Sequence, residues 1–421
     1  VIVGPHMENF QAIADEFRVR CAMVEIGGAA EMAGAVERVL ASPGRVGERA
    51  KQCLDGNRGA TERALGEMRE LIRVPRYRPA MPWAALAGAL SRAWRWGARR
   101  RQTKQLAERR SLDVPVISVG NIVMGGTGKT PCVLRLAEVL REQGCRPGIL
   151  TRGYGRNSPV DHIALAPGAQ ARAEETGDEP QIFLQSRIAP VGIGVDRYEA
   201  GVMLREQFKC DVMVLDDGFQ HVKLARDRDL VLIDALNPFG GGECFPMGRL
   251  REPVEGIARA TAILITRCEA SDLAPAIESE IRRYNPHAPI FRASVAPQSW
   301  VEHKSGRVLE KLKVKRVGMF CGLGNPRSFR CTLESMGLEI ADRADFGDHH
   351  RYRPRELRNI AISFRERGAE AVVTTQKDAI NLCIEADHLL EPLPLYWLKV
   401  GIRIENEAEL VALLQPALRR A

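Results

Sequence analysis

No window of this chain approaches the roughly 18–20 uninterrupted apolar residues that a membrane-crossing helix needs, so no transmembrane span is expected. Its ten cysteines never form a Cys-x-x-Cys pair. That argues against a zinc site or a disulfide framework and reads as reduced, mostly buried thiols in a cytosolic protein. A secretory signal pattern is missing, as are internal repeats and low-complexity tracts. The chain opens on Val1 rather than Met, which reads as a processed or truncated start.

What is present is ordinary for a globular protein of two or three domains. The chain has 421 residues, 45% hydrophobic and 27% charged, with a formal net charge of +8. The basic excess favours anionic partners without choosing among nucleotide, nucleic acid and membrane surface. From about residue 111, short apolar runs alternate with helical stretches. The expected strands are 114–120, 146–152, 189–195, 211–217, 229–235, 261–267, 316–322, 371–376 and 395–400. Apolar runs of this length suit strands buried on both faces, and the alternation implies an α/β fold with a parallel sheet. The expected organisation is a helix-rich segment at 1–72, a basic connector at 73–110, a main α/β domain at 111–290 and a smaller α/β domain at 291–421.

In the connector, Trp83, Leu86, Ala87, Leu90 and Trp94 recur at helical spacing on one face, with Arg92, Arg95 and Arg99 on the other. Between Ser91 and Arg110 the local charge excess is +7. Such a helix can lie in the interface of an anionic membrane or pack on the protein's own core with a solvated basic side.

The chemistry concentrates in a few motifs. "VISVGNIVMGGTGKTP" (116–131) is a strand, a glycine-rich loop and the start of a helix. Val123, Met124, Gly125, Gly126, Thr127, Gly128, Lys129 and Thr130 are the expected nucleotide cradle. Lys129 would meet phosphate charge and the Thr130 hydroxyl a Mg²⁺ ion. A strict P-loop would have glycine where Val123 stands. "VMVLDDGFQH" (212–221) has the form of a strand that carries a carboxylate, Asp216 or Asp217, to that metal. In "TGDEP" (176–180), Asp178 and Glu179 open a helix. Asp178 is either an N-cap or a base that orients a substrate hydroxyl. "MGRLREP" (247–253) offers Arg249, Arg251 and Glu252 to a phosphate or to solvent, and "DFGDHHRYRP" (345–354) holds the adjacent His349 and His350. "TTQKDAINL" (375–383) reads as a strand-to-helix turn, and it is not the guanine-reading Asn-Lys-x-Asp pattern.

In this order, "GNIVMGGTGKTP", "TRGYGR", "GDEP", "VDRYEAG", "LDDGFQH", "PMGRLREP", "FGDHHRY" and "TTQKDA" resemble the tetraacyldisaccharide 4'-kinases of lipid A synthesis, over about residues 75–421. The resemblance implies a P-loop NTPase-type three-layer sandwich with a second, smaller α/β domain. It implies ATP and Mg²⁺ as cofactors. The implied acceptor is an acylated glucosamine disaccharide 1-phosphate, phosphorylated at its 4'-hydroxyl to give lipid IVA. By the same resemblance, Lys129 and Thr130 hold phosphates and metal, and Asp216 and Asp217 serve the metal. Glu252 belongs to the metal or catalytic shell, and Asp178 is the base, paired with His349. The family also implies a peripheral position on the cytoplasmic face of the bacterial inner membrane, against an anionic surface, with no nucleic-acid partner. The first 72 residues, "VIVGPHMENFQAIADEF" onward, resemble the final segment of the Kdo transferases, glycosyltransferases with two Rossmann-like halves. Only the end of the second half is represented, so no sugar transfer is expected from it. The competing reading is a P-loop ATPase switch of the partitioning or metal-insertion kind, which would leave the "GRLREP" motif unexplained.

Overall fold

A computed structural model of the chain describes residues 1–7, 11–41, 43–57, 83–323, 326–347 and 350–418. It divides into two compact units, Val1–Arg73 and Val74–Ala421.

The first unit contains β1 (Ile2–Val3), α1 (Gln11–Val19), β2 (Val24–Glu25), α2 (Met32–Ala41) and α3 (Pro43–Asn57). The two strands pair in parallel across α1, a β-α-β unit. A small cluster of Phe17, Ala22, Ala50 and Cys53 holds it together.

In the second unit, α4 (Trp83–Ala107) leads to β3 (Val116–Asn121), α5 (Lys129–Glu142), β4 (Pro147–Thr151) and β5 (His162–Leu165). Next come α6 (Ala173–Thr176), α7 (Asp178–Ser186), β6 (Val191–Gly194), α8 (Arg197–Phe208), β7 (Val212–Asp216), β8 (Arg228–Asp234), β9 (Ala262–Thr266) and α9 (Ala274–Tyr284). The remainder is β10 (Ile290–Glu302), β11 (Val308–Leu309), β12 (Arg316–Cys321), α10 (Pro326–Ser335), β13 (Glu339–Asp345) and α11 (Pro354–Glu366). It closes with β14 (Ala371–Thr375), α12 (Gln376–Ile380), α13 (Ala386–Leu390), β15 (Leu395–Ile404) and α14 (Glu407–Leu418).

These strands form one sheet in the order β13-β12-β14-β15-β10-β9-β8-β3-β7-β4-β6-β5, with β11 paired to β10. The pairs from β4 through β7, β3, β8 and β9 to β10 are parallel, and β5 closes one edge antiparallel. Side chains such as Ile117, Leu136, Phe183, Leu264, Leu410 and Leu414 fill one face, under α5, α7 and α14. Ile122, Phe219, Ile233, Ile265, Ile277 and Ile281 fill the other, under α9. Helices on both faces of a parallel sheet make the three-layer sandwich.

The boundary expected at 290 falls at the start of β10, which the sequence reading missed. Ile290–Arg292 pair in parallel with β9, and Ala293–Glu302 pair antiparallel with β15. One strand therefore joins an N-terminal half-sheet to a C-terminal half-sheet. The latter has its own cores, around Phe320, Leu357 and Phe364 on one face and Trp300, Met319 and Leu333 on the other.

β3 sits between β7 and β8, where the winding of the sheet reverses. Ligands of open α/β sheets bind beyond the carboxyl ends of strands at such a switch point. Gly120 at the end of β3 has a steric reason. A Cβ there would stand 2.6 Å from both Cβ and N of Phe219, in the loop after β7. The two motif-bearing strands can approach this closely because one of them has no side chain there.

Candidate active site

The loop after β3 is held from several directions. Gly125 and Gly128 take φ of +120° and +83°, open to glycine at little cost. Asn121 Nδ2 donates to Thr127 Oγ1 at 2.9 Å, and Thr266 Oγ1 donates to the Thr127 carbonyl at 2.9 Å. Arg267 donates to the Gly126 carbonyl at 2.8 Å while pairing with Asp234 at 2.6 Å. Gly128 is then the N-cap of α5, so Lys129 and Thr130 open that helix at its positive end. A loop held this way presents backbone N–H groups to an anion without having to order itself first.

The carboxylates converge on the same place. Asp216 ends β7, is 2% exposed, and accepts from Thr151 Oγ1 at 2.9 Å. Burial, then the negative charges of Glu179 and Asp217, push its carboxyl up to about 7. Asp217 behaves in the opposite way. Burial would raise it, but Lys129 at 3.4 Å and Arg251 at 2.7 Å outweigh that and hold it well below the usual carboxylate range. One acid is thus short of positive charge and its neighbour is saturated with it. Among the described residues, no three Asp, Glu, His or Cys side chains form a closed metal cage. A Mg²⁺ ion carried by a nucleotide needs only one or two carboxylates, the rest being phosphate oxygens and water. Asp216, at the end of β7, and Thr130, at the start of α5, are of the residue types that fit such an ion.

Two cavities meet at this cluster. A cleft of about 1190 Å³ runs from Gly125–Pro131 to the C-terminal half-sheet, where Leu323, Arg327, Phe329 and Lys377 face it. A second cavity, of about 980 Å³, lies under α4 and is lined by Arg99, Arg101, Lys104, Arg152, Arg197, Lys223 and Arg259, with His221. Glu179, Asp217 and Arg251 line both. In the second cavity, Arg197 is buried and His221 half-buried, and the buried atoms Arg197 Nε and His221 Nε2 have no hydrogen-bond partner. Burial, then the neighbouring Arg197, push the His221 ring down to about 3. Burial, then Arg152, lower Arg197 to about 10.

Several expectations shift. Of the expected cradle, Gly125, Gly126, Thr127, Gly128, Lys129 and Thr130 line the first cleft, whereas the Val123 side chain is 5% exposed in the core and Met124 lines the second cavity. Both Glu252 oxygens are taken by Arg259, at 3.0 and 2.8 Å, and one by Gln220 at 2.8 Å. Glu252 therefore braces Gln220 rather than offering a free metal ligand. Glu179, to which the motif reading gave no role, is the residue of its pair that faces both cavities. Asp178 starts α7 and is met by Asn381 Nδ2 at 3.4 Å. His349 lies outside the described residues. Its neighbour His350 is committed elsewhere, with Nε2 3.0 Å from Glu356 and the ring stacked on Phe346 at 4.5 Å. In α4, Trp94 belongs to the inner face. Its Nε1 donates to the Arg251 carbonyl at 2.9 Å, and Ser91 Oγ donates to the Cys244 carbonyl at 2.6 Å. Leu86, Leu90, Trp96 and Leu106 are the exposed large apolar side chains there, beside exposed Arg92 and Arg99, with Arg95 half-buried.

A strand, a glycine loop and a lysine-led helix, with an acid-ended strand alongside, define a P-loop phosphotransferase. The family model for tetraacyldisaccharide-1-P 4'-kinase matches residues 80–419, and the chain belongs to that family. The tetraacyldisaccharide 4'-kinase of Halothermothrix orenii is 34% identical over 328 residues, covering 72% of this chain and 84% of that protein. The one from Desulfotalea psychrophila is 38% identical over 290 residues, 67% of this chain and 81% of its own length. Among solved structures, the "apo" form of LpxK from Aquifex aeolicus in complex with ATP superposes with a TM-score of 0.61 at 28% identity, covering 78% of this chain and 98% of that one.

Proposed function

We propose that the chain transfers the γ-phosphoryl group of ATP to the 4'-hydroxyl of a tetraacyldisaccharide 1-phosphate, giving lipid IVA. The observation that carries this reading is the shared wall. A P-loop cleft and a cation-lined cavity meet at Glu179, Asp217 and Arg251, so a nucleotide and an anionic acceptor can face each other across it. Lys129 neutralises charge on the transferring phosphoryl group. Asp178 takes the proton of the 4'-hydroxyl as its oxygen bonds to phosphorus and the β–γ bridge breaks, releasing ADP. His349 is its partner in this proposal. Mg²⁺, when bound, supplies charge neutralisation at the β- and γ-phosphates, and Thr130, Asp216 and Asp217 are the residues that would hold it.

No helix among the described residues is long and apolar enough to cross a membrane. The outer side of α4, with Leu86, Leu90 and Trp96 exposed beside arginines, supports a peripheral seat on an anionic cytoplasmic membrane surface. An acylated acceptor favours catalysis there, because leaving the bilayer costs about 0.8 kcal/mol per exposed CH₂. For residues 1–72, the "GPHMENF" motif and the β1-α1-β2 unit support a remnant of a Kdo-transferase C-terminal half.

The test is labelled ATP in detergent–lipid micelles, with and without the tetraacyldisaccharide 1-phosphate. Mg²⁺-dependent label at the sugar's 4' position, lost by about a hundredfold or more in Asp178→Asn, is the expected result. ATP hydrolysis that ignores the lipid and responds to an added protein would instead favour a switch ATPase.

A further inference from the structure

The inner face of α4 is tied to the loop that carries Arg251. Ser91 Oγ donates to the Cys244 carbonyl at 2.6 Å, near one end of that loop, which closes on itself where Leu250 N donates to the Glu243 carbonyl at 3.0 Å. Trp94 grips the other end. Its Nε1 donates to the Arg251 carbonyl at 2.9 Å, and its ring meets Phe245 edge-on with centroids 5.3 Å apart. On the far side, Arg251 N donates to the Ile122 carbonyl at 2.8 Å and Met124 N to the Arg249 carbonyl at 2.7 Å. Both main-chain polar groups of Arg251 are therefore committed, one to the start of the phosphate loop and the other to α4. From that backbone the side chain crosses the wall shared by the two cavities. Its Nη1 donates to both oxygens of Asp217, at 2.8 and 2.7 Å, and to Gln220 Oε1 at 3.4 Å. Asp217 in turn lies 3.4 Å from Lys129.

We propose that Trp94 is a positioning residue for phosphoryl transfer: its indole N–H fixes the main chain of Arg251 and so aims the guanidinium along the wall between nucleotide and acceptor. The inference rests on the kinase reading above. A long, rotatable side chain reaches one place only if its own backbone is held, and a misplacement of about 1 Å at a reacting site is enough to cost rate. An indole suits the task because it is a donor without an acceptor, so it has one use for its polar atom. Phenylalanine would keep the contact with Phe245 and leave the Arg251 carbonyl without that donor. The arrangement gives α4 two separable tasks. Its outer side, with Leu86, Leu90 and Trp96 exposed, is the proposed seat on the lipid surface. Its inner side orders the wall at which transfer takes place.

Steady-state kinetics of the full chain with ATP and the lipid acceptor, run beside vesicle binding, test this. Trp94→Phe should lower kcat about three- to tenfold, the worth of one neutral hydrogen bond, with the KM for ATP and the affinity for anionic vesicles unchanged. Trp94→His, which keeps a ring N–H, should recover part of the loss. Ser91→Ala, which loosens the other end of the loop, should lower kcat in the same way. On an Arg251→Ala background the carbonyl remains but the guanidinium it aims is gone, so Trp94→Phe should add no further loss. An unchanged kcat, a loss matched by weaker vesicle binding, or the same fold loss with and without the Arg251 side chain would each overturn the proposal. The last of these would mean that Trp94 acts by its own contact with the acceptor. Absence of label on the sugar with the unaltered chain would instead remove the kinase reading itself.

Discussion

The two cavities are of similar size but are built from opposite materials. The P-loop side of the nucleotide cleft is a surface of backbone: glycines in the left-handed region, carbonyls tied off by Thr266 and Arg267, the Thr127 hydroxyl held by Asn121, and a helix start. The cation-lined cavity is a surface of side-chain charge, partly paired, as Arg259 is with Glu252 and Arg251 with Asp217, and partly left without partners, as at Arg197 Nε and His221 Nε2. A loop of main-chain donors binds any phosphate of the right shape, so it needs little from residue identity beyond glycine and one lysine. A cavity of guanidinium groups and an unpaired imidazole is costly to keep empty, and its specificity is written in individual side chains. The difference explains why the nucleotide side announces itself in sequence as a motif, whereas the acceptor side is scattered over Arg99, Arg152, Arg197, His221 and Arg259.

That contrast can be broken from either side. The largest effect is expected at the nucleotide loop, where Lys129→Ala should cut kcat/KM for ATP by about a hundred- to a thousandfold with binding of the lipid acceptor retained in a pull-down on substrate micelles. Retained turnover would mean that the loop does not touch the transferring group. Next is the outer side of α4. Replacing Arg92, Arg95 and Arg99 with Glu should remove roughly 1 kcal/mol of attraction per charge, measured as a rise in the apparent Kd for anionic vesicles, with no change on neutral ones. Salt-insensitive binding by the triple variant would sink the interfacial account. Lys377→Ala should raise the KM for ATP about three- to tenfold, the worth of about one screened charge contact, and leave the acceptor KM alone. A matching rise for the lipid would show that the two cavities are less separate than their linings.

The smallest effect concerns pH. The His221 ring is pushed down to about 3, by burial and then by Arg197. The unfolded chain, with an ordinary imidazole near 6.5, binds a proton that the folded chain refuses between those values. The stability that depends on a neutral His221 is therefore full above about pH 6.5 and is lost as pH falls toward 3. His221→Gln should flatten the acid side of the melting-temperature profile in that window and leave pH 8 unaffected. A parallel profile would show that the ring is not held neutral.

The strands legible in the sequence were those buried on both faces, such as Val212–Asp216 and Ala262–Thr266, because continuous apolar runs admit little else. The ones that escaped are half-wet. Ile290–Glu302 mixes Arg292, Pro297 and Gln298 into its run and carries a bulge at Pro297, and Glu339–Asp345 is an edge strand with three acids and an arginine. The missed strand is the one that joins the half-sheets, so the boundary was set at its first residue. In the site, Lys129, Asp216 and Asp217 could be found because each stands at the end of a strand or loop with a fixed job. Glu179 could not, since its place at both cavities comes from what folds opposite it. Whether Trp94 faces a membrane or the protein's own core stayed open in the sequence, because spacing gives the angle between side chains around a helix but not which side meets the body. Its hydrogen bond to Arg251 settles that.

The same core cluster that contains Ile117 and Val119, in the strand before the phosphate loop, also contains Leu410 and Leu414 from the last described helix. Arg135, nearly two turns into the helix after the loop, is clamped by both oxygens of Glu407 at 2.8 and 2.7 Å. During synthesis the two partners leave the ribosome far apart in time. At about 5–20 residues per second, the early strand and loop wait on the order of tens of seconds for the helix that covers them. Until then their apolar face is open to chaperones, proteases and neighbouring chains. The phosphate loop is sealed only after the helix at Glu407–Leu418 has been made, and a ribosome that stalls between the two would release a chain able to display its loop but not to seal it.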